Sequence, residues 1–305
     1  LLTARHAGEH PYWDRDEIHQ VYRGWRTVID EFAGDRMFCA EAWVPNPDRF
    51  AAYLRPDELH TGFNFDYLQA PWDAEIHRRV IDRTLRTLGA AGAPATWVLS
   101  NHDVTRHRTR LGGAGETPRR ARAATLLMLA LPGSAYFYQG EELGLPEVLD
   151  IPPAQRQDPV YFRTNGENPG RDGCRVPLPW AGTSPPYGFG PAGTPWLSQP
   201  DSFAELTAQA QIHDPASTLT FYRTALRLRR RRPDLGDGTL QWIDTPPGLL
   251  AFRRGELICA VNFTESALAI DGFADGVELV RSITDPGEPA AGVLPGDTAV
   301  WLDVS

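Results

Sequence analysis

Two carboxylic acids close apolar runs in this sequence. Glu41 stands near the end of the stretch at 36–43 (RMFCAEAW), and Asp103 follows the stretch at 95–100 (ATWVLS) after Asn101 and His102. An acid set among apolar residues beside Trp43 is hard to ionise, because burial disfavours the charged form, and such an acid suits proton donation. Asp103 has polar neighbours that keep a carboxylate charged. One protonated acid and one ionised acid is the arrangement that glycosidic cleavage needs. The bland alternative is that each acid caps a helix or sits on the surface, and spacing alone leaves that open. Trp43, Phe63 and Tyr138 offer ring faces for a sugar or simply pack in a core.

The elements that must position these residues alternate. Short apolar or aromatic runs at 36–43, 61–68, 95–100 and 134–138 read as buried parallel strands, each ending in polar residues. Amphipathic patterns at 16–32, 73–88 and 119–131 read as helices between them; in the first, Ile18, Val21, Tyr22, Trp25, Val28 and Ile29 recur at helical spacing. Repeated β-α units predict an α/β barrel or an open doubly wound sheet. Polar residues after the strands fall where barrel active sites are built. Residues 150–215, rich in Pro, Gly and aromatics, read as a long ordered excursion over one face. A helix follows at 218–232, stopped by Pro233. Short alternating runs at 249–252, 257–262 and 299–302 predict a small antiparallel β domain.

Composition narrows the chemistry. Hydrophobic residues make up 42% and charged residues 23%, a globular profile. No apolar run of about 18 residues exists, so no membrane partner is expected. All 30 basic residues are Arg, which excludes lysine Schiff bases and a Walker lysine. The net charge of -9 argues against a nucleic-acid partner. The run of arginines at 229–232 reads as a helix end, where cations suit the dipole. Cys39, Cys174 and Cys259 lack CxxC spacing and no Cys/His cluster suggests zinc, so neither metal nor cofactor is expected. A sparse, odd cysteine count and the lack of a signal peptide point to the cytoplasm. Residue 1 is Leu, which suggests a piece of a longer product.

Four segments together carry a resemblance. Residues 38–43 (FCAEAW) are similar to the acid/base motif of family 13 glycoside hydrolases. Residues 97–103 (WVLSNHD) resemble the transition-state-stabiliser motif, with His102 and Asp103 in the matching places. Residues 133–144 (GSAYFYQGEELG) resemble the last barrel strand, usually close to GTPxxYYGxELG. Residues 170–180 (GRDGCRVPLPW) are very like the GRDGxRTPMPW of the α-glucosidase and oligo-1,6-glucosidase branch, with an actinobacterial flavour. Their order along the chain is the family's.

The resemblance implies the C-terminal half of a (β/α)8 TIM barrel, about strands 5 to 8, over 1–233, with a long loop at 150–215 and a β-sandwich over 234–305. It implies retaining hydrolysis of terminal α-linked glucose from oligosaccharides, α-1,4 or α-1,6. Glu41 would be the general acid/base, Asp103 the transition-state stabiliser, and His102 a sugar ligand. Arg175 or Arg171 would close the pocket around the terminal glucose, or either would pin the long loop through carbonyl contacts. The family's DxxxNH and GFRxD motifs, the second holding the nucleophile, are absent, so this chain alone is expected to be inactive. Alternatives are a transglycosylase or isomerase such as a trehalose synthase or sucrose isomerase, or a non-catalytic homologue. If the acids share a site, their carboxyl groups should lie within roughly 5–9 Å of each other in one cleft lined by His102.

Overall fold

The computed structural model describes residues 10–44, 46–112, 117–190, 193, 195–273, 275–283 and 292–305. They form two compact units: residues up to 98 with 132–136, and residues 99–131 with 137–305.

The first unit repeats strand and helix. Helix α1 spans Ile18–Asp30, β1 Cys39–Ala40, α2 Pro47–Ala52, β2 Thr61–Gly62, α3 Phe65–Gln69, α4 Ala74–Ala91 and β3 Thr96–Val98; β4, Ser134–Tyr136, returns from later in the chain. Strand β1 pairs in parallel with β2, and β3 with β4. The hydroxyls of Thr61 and Thr96 bond to each other between β2 and β3. These are the β/α units of a partial (β/α)8 barrel. Helix α4 begins where Asp73 accepts from the Ile76 amide and ends at Gly92 in the left-handed region. Gly133, at φ +102, passes so close to the Ala95 carbonyl that a side chain would collide.

Two expectations change here. The run at 61–68 is not one strand. It pairs for only two residues, because Asn64 takes the Tyr67 amide and opens α3. Aromatic alternation concealed that cap. Helix α1 forms as expected, but Val21, Trp25 and Val28 of its apolar stripe are exposed. Polar pairs hold it instead: His19 Nδ1 lies 2.6 Å from Glu58, and Arg23 reaches Glu58 and Asp57, each at 2.9 Å.

The second unit holds α5 (His107–Arg110), α6 (Arg119–Ala130), α7 (Pro159–Arg163), α8 (Ala208–Gln211) and α9 (Thr218–Arg231). Its strands are β5 (Gln241–Ile243), β6 (Leu249–Arg254), β7 (Leu257–Asn262), β8 (Leu268–Ala269), β9 (Val277–Arg281), β10 (Val293–Leu294) and β11 (Thr298–Asp303). Five of them form an antiparallel sheet in the order β5-β6-β7-β11-β9. One face packs Ala251, Ile258, Ala260 and Val300 against Ile270, Phe273 and Leu294. Helix α6 lies on β7 and β11, and Trp301 Nε1 donates to the Leu126 carbonyl at 3.1 Å. Both faces of β7 are therefore covered, which explains an unbroken apolar run at 257–261 (LICAV) in an antiparallel strand. Helix α6 is likewise buried on every side from Ala121 to Ala130. The boundary at 233/234, where helices give way to strands along the sequence, remains a proposal.

The excursion at 150–215 has its own apolar centre: Ile151, Val176, Leu178, Tyr187, Leu197 and Phe203 gather with Leu143, Leu145 and Val148. Residues 191, 192 and 194 of that stretch lie outside the described residues.

Candidate active site

In the first unit Glu41 follows β1 directly and is exposed. The expected burial of this acid is not found, and Trp43 stacks on Phe65, with ring centres 3.6 Å apart and planes 8° from parallel. Phe63 meets Tyr136 edge-on at 5.0 Å. Packing partners thus exist for both rings.

In the second unit the chain turns through Ser100–Arg106 by local bonds. Asn101 Oδ1 takes the Asp103 amide at 2.8 Å, and Ser100 Oγ takes the His107 amide at 2.8 Å and bonds His107 Nδ1 at 2.9 Å. This sets Asp103 at the head of the loop with 14% of its side chain exposed. Arg171 Nη1 and Arg175 Nη2 donate to its Oδ1 at 2.7 and 2.8 Å, and His102 Nε2 stands 3.5 Å from the same oxygen. Arg175 Nε also donates to the His102 carbonyl at 2.8 Å. The sequence left open whether Arg171 or Arg175 serves the pocket or pins the loop. Both reach the carboxylate, and Arg175 pins the loop as well. Four of the five expected residues therefore meet around one oxygen. Glu41 belongs to the other unit, so a common cleft with Asp103 is a matter for proposal.

Sequence reading missed the supports. Asp158 grips Arg171 through Nε at 2.6 Å, and Arg171 holds its carboxyl well below the usual range. Only the DP pair at 158–159, a helix-start signal, could have drawn notice. Arg106, buried, donates to the Gln139 and Cys174 carbonyls at 2.9 and 2.8 Å and lies over the Tyr138 ring. Tyr138 OH donates to the Cys174 carbonyl at 3.0 Å, so this ring braces the 171–175 turn.

Two buried titratable groups stand beneath this loop. Burial pushes the Glu141 carboxyl up to about 8, opposed by the Tyr138 amide and Arg106. Burial, then Arg110, Arg106 and Arg108, pushes His107 down to about 3. Between the ordinary value of 4.5 and 8, the native Glu141 holds a proton that the unfolded chain has lost, so stability falls as pH rises. Between 3 and the ordinary 6.5, the unfolded chain binds the extra proton at His107, so stability falls as pH drops. Urea midpoints are therefore expected to decline from about pH 6.5 to 8, and Glu141→Gln should flatten that limb. A variant with the same slope as wild type would assign the decline elsewhere.

Comparison with known proteins bears on the whole arrangement. Residues 3–238 match the family described as Alpha amylase, catalytic domain. A probable alpha-glucosidase of Rhizobium meliloti is 35% identical over 272 residues, 85% of this chain and 48% of that protein. The salivary alpha-glucosidase of Anopheles gambiae is 28% identical over 95% of this chain and 47% of its own length. The chain thus spans about half the length of the curated relatives it matches. Among solved structures, an alpha-glucosyl transfer enzyme, XgtA, superposes with a TM-score of 0.81 at 29% identity, over 97% of this chain and 56% of that one. The trehalulose synthase MutB, 23% identical with a TM-score of 0.80, shares the fold over 95% of this chain and 59% of its own. With the motifs at 38–43, 97–103, 133–144 and 170–180 inside or across the matched span, the chain belongs to the α-amylase catalytic-domain family, the glycoside hydrolases of family 13.

Proposed function

We propose that this chain is the acid/base-bearing part of a retaining α-glucosidase that releases terminal glucose from short oligosaccharides. The observation that carries this reading is the pair of arginines on Asp103 Oδ1, drawn from the segment that resembles the closed-pocket branch. Two cations crowd one carboxylate oxygen at the pocket wall, and none of these bonds falls on Oδ2, which is left to accept sugar hydroxyls.

In this reading Glu41 protonates the glycosidic oxygen while the aspartate of the GFRxD segment, which this chain lacks, attacks the anomeric carbon. Glu41 then takes a proton from water, and the glucosyl ester is hydrolysed with retention. Asp103 stabilises the positive charge that develops on the ring, and exposed His102 hydrogen-bonds the same sugar. The substrate is a small α-glucoside, α-1,4 or α-1,6 linked. The three unbonded cysteines fit a cytoplasmic site of action. No helix among the described residues is long and apolar enough to cross a membrane.

The full-length protein should release α-glucose from maltose and isomaltose and leave starch nearly untouched, as read by proton NMR of the first products. Maltose and maltotriose as first products from long chains would contradict the closed pocket. The second reading, glucosyl transfer or isomerisation, is favoured by the likeness to an alpha-glucosyl transfer enzyme. Glucosides in excess of free glucose in the same initial-rate experiment would select it.

A further inference from the structure

We infer that Asp158 is a positioning residue, which holds the Arg171 guanidinium so that one of its nitrogens stays on Asp103. The inference rests on the reading of Asp103 as the carboxylate that stabilises the reacting sugar.

The side chain of Asp158 is fully buried. Its Oδ2 accepts from both the Arg171 backbone amide, at 2.8 Å, and Arg171 Nε, at 2.6 Å. Its Oδ1 accepts from the Val160 amide at 2.9 Å and from Arg171 Nη2 at 3.3 Å. One carboxylate thus fixes the start and the end of the same arginine. The fork leaves Nη1 pointing outward, and that nitrogen reaches Asp103 Oδ1 at 2.7 Å. Turning the guanidinium away from Asp103 would break the Nε bond, so the geometry at Asp103 is set from behind.

Asp158 is itself held. Asp172 Oδ2 takes the amides of Gln157 and Asp158 at 2.8 and 3.1 Å. Gly170, at φ +71, lets the Arg171 backbone approach: a Cβ there would lie 2.7 Å from the Asp158 Cβ. Helix α7 opens on Asp158, with Pro159 as its first residue. Arg171 is about a third exposed along its side chain, so without this grip its head has water to turn into. A guanidinium fixed in advance stabilises a reacting centre better than one that must be recruited. Arg175 gives Asp103 a second contact that does not involve Asp158, so the expected loss is partial.

The test is a double-mutant cycle in the full-length protein, with kcat and KM for maltose measured beside thermal midpoints. Asp158→Ala and Arg171→Ala should each lower kcat about 10–10²-fold, the scale of a misplaced group near the chemistry, with the smaller change in KM. The double variant should be no worse than the poorer single one, because both remove the same contact. Asp158→Asn, which keeps one acceptor for Arg171, should fall between. If Asp158→Ala does not fold, the cycle of Asp158→Asn with Arg171→Ala decides by the same criterion. Losses that multiply, or a lowered midpoint with unchanged kcat, would overturn the inference. Asp103→Asn serves as the reference. If it loses turnover while the Asp158 and Arg171 losses multiply, only this inference fails; if it keeps wild-type turnover, the reading of Asp103 fails and the inference with it.

Discussion

Replacing Glu41 by Gln in the full-length protein is expected to lower maltose turnover by about 10²–10⁴-fold, the range that positioned acid–base groups contribute. The amide has the shape of the acid but no proton to give to the glycosidic oxygen. The deficit should depend on the leaving group. A glucosyl fluoride departs with little acid help, so its glycosylation step should suffer less, and breakdown of the covalent intermediate should become the slow step. Burst kinetics with the fluoride donor would then be seen in the variant. Glu41 is exposed and directly follows a strand of only two residues. Its folding role is therefore small, and the variant should unfold at the wild-type temperature. Equal loss for maltose and the fluoride donor, with glycosylation limiting both, would return Glu41 to an ordinary surface acid.

Asp103→Asn should lower kcat by about 10²–10³-fold, as removal of a preorganised electrostatic partner does elsewhere. The amide keeps an oxygen for Arg171 Nη1 and Arg175 Nη2, which now bond to it at 2.7 and 2.8 Å. It loses the negative charge that faces the oxocarbenium-like ring. Asp103→Ala goes further, since it leaves two neighbouring guanidinium groups with no shared acceptor. Like charges would then separate, and the 171–175 turn should loosen. The two variants should thus be similar in turnover but different in protection of that turn, readable by hydrogen exchange. Wild-type kcat in Asp103→Asn would remove this residue from the chemistry.

Much of this was legible in the residues alone. The β-α alternation was readable because helices and buried strands carry different apolar periods. The final antiparallel domain was legible for the same reason, although the unbroken burial of β7 follows only from α6 covering its second face. The family was legible because four short motifs occur in order. Local physics suggested a proton donor at Glu41 and a charged carboxylate at Asp103 but left a surface role open, and the order of the motifs supplied the roles expected of Glu41, His102 and Asp103. What periodicity could not supply was the competition within a short stretch. At 61–68 a side-chain cap at Asn64 outbid the strand, and at 18–30 polar contacts of His19 and Arg23 with Glu58 hold a helix whose Val21, Trp25 and Val28 remain exposed. Contacts across the long loop were beyond reach as well. Arg171 and Arg175 were both candidates, but their convergence on one oxygen joins residues 68 and 72 positions apart. Asp158 carried no role in the sequence reading, and in the structure it opens α7. Its grip on Arg171 arises only because the turn at Gly170 brings the two backbones together, a closeness that tertiary folding decides.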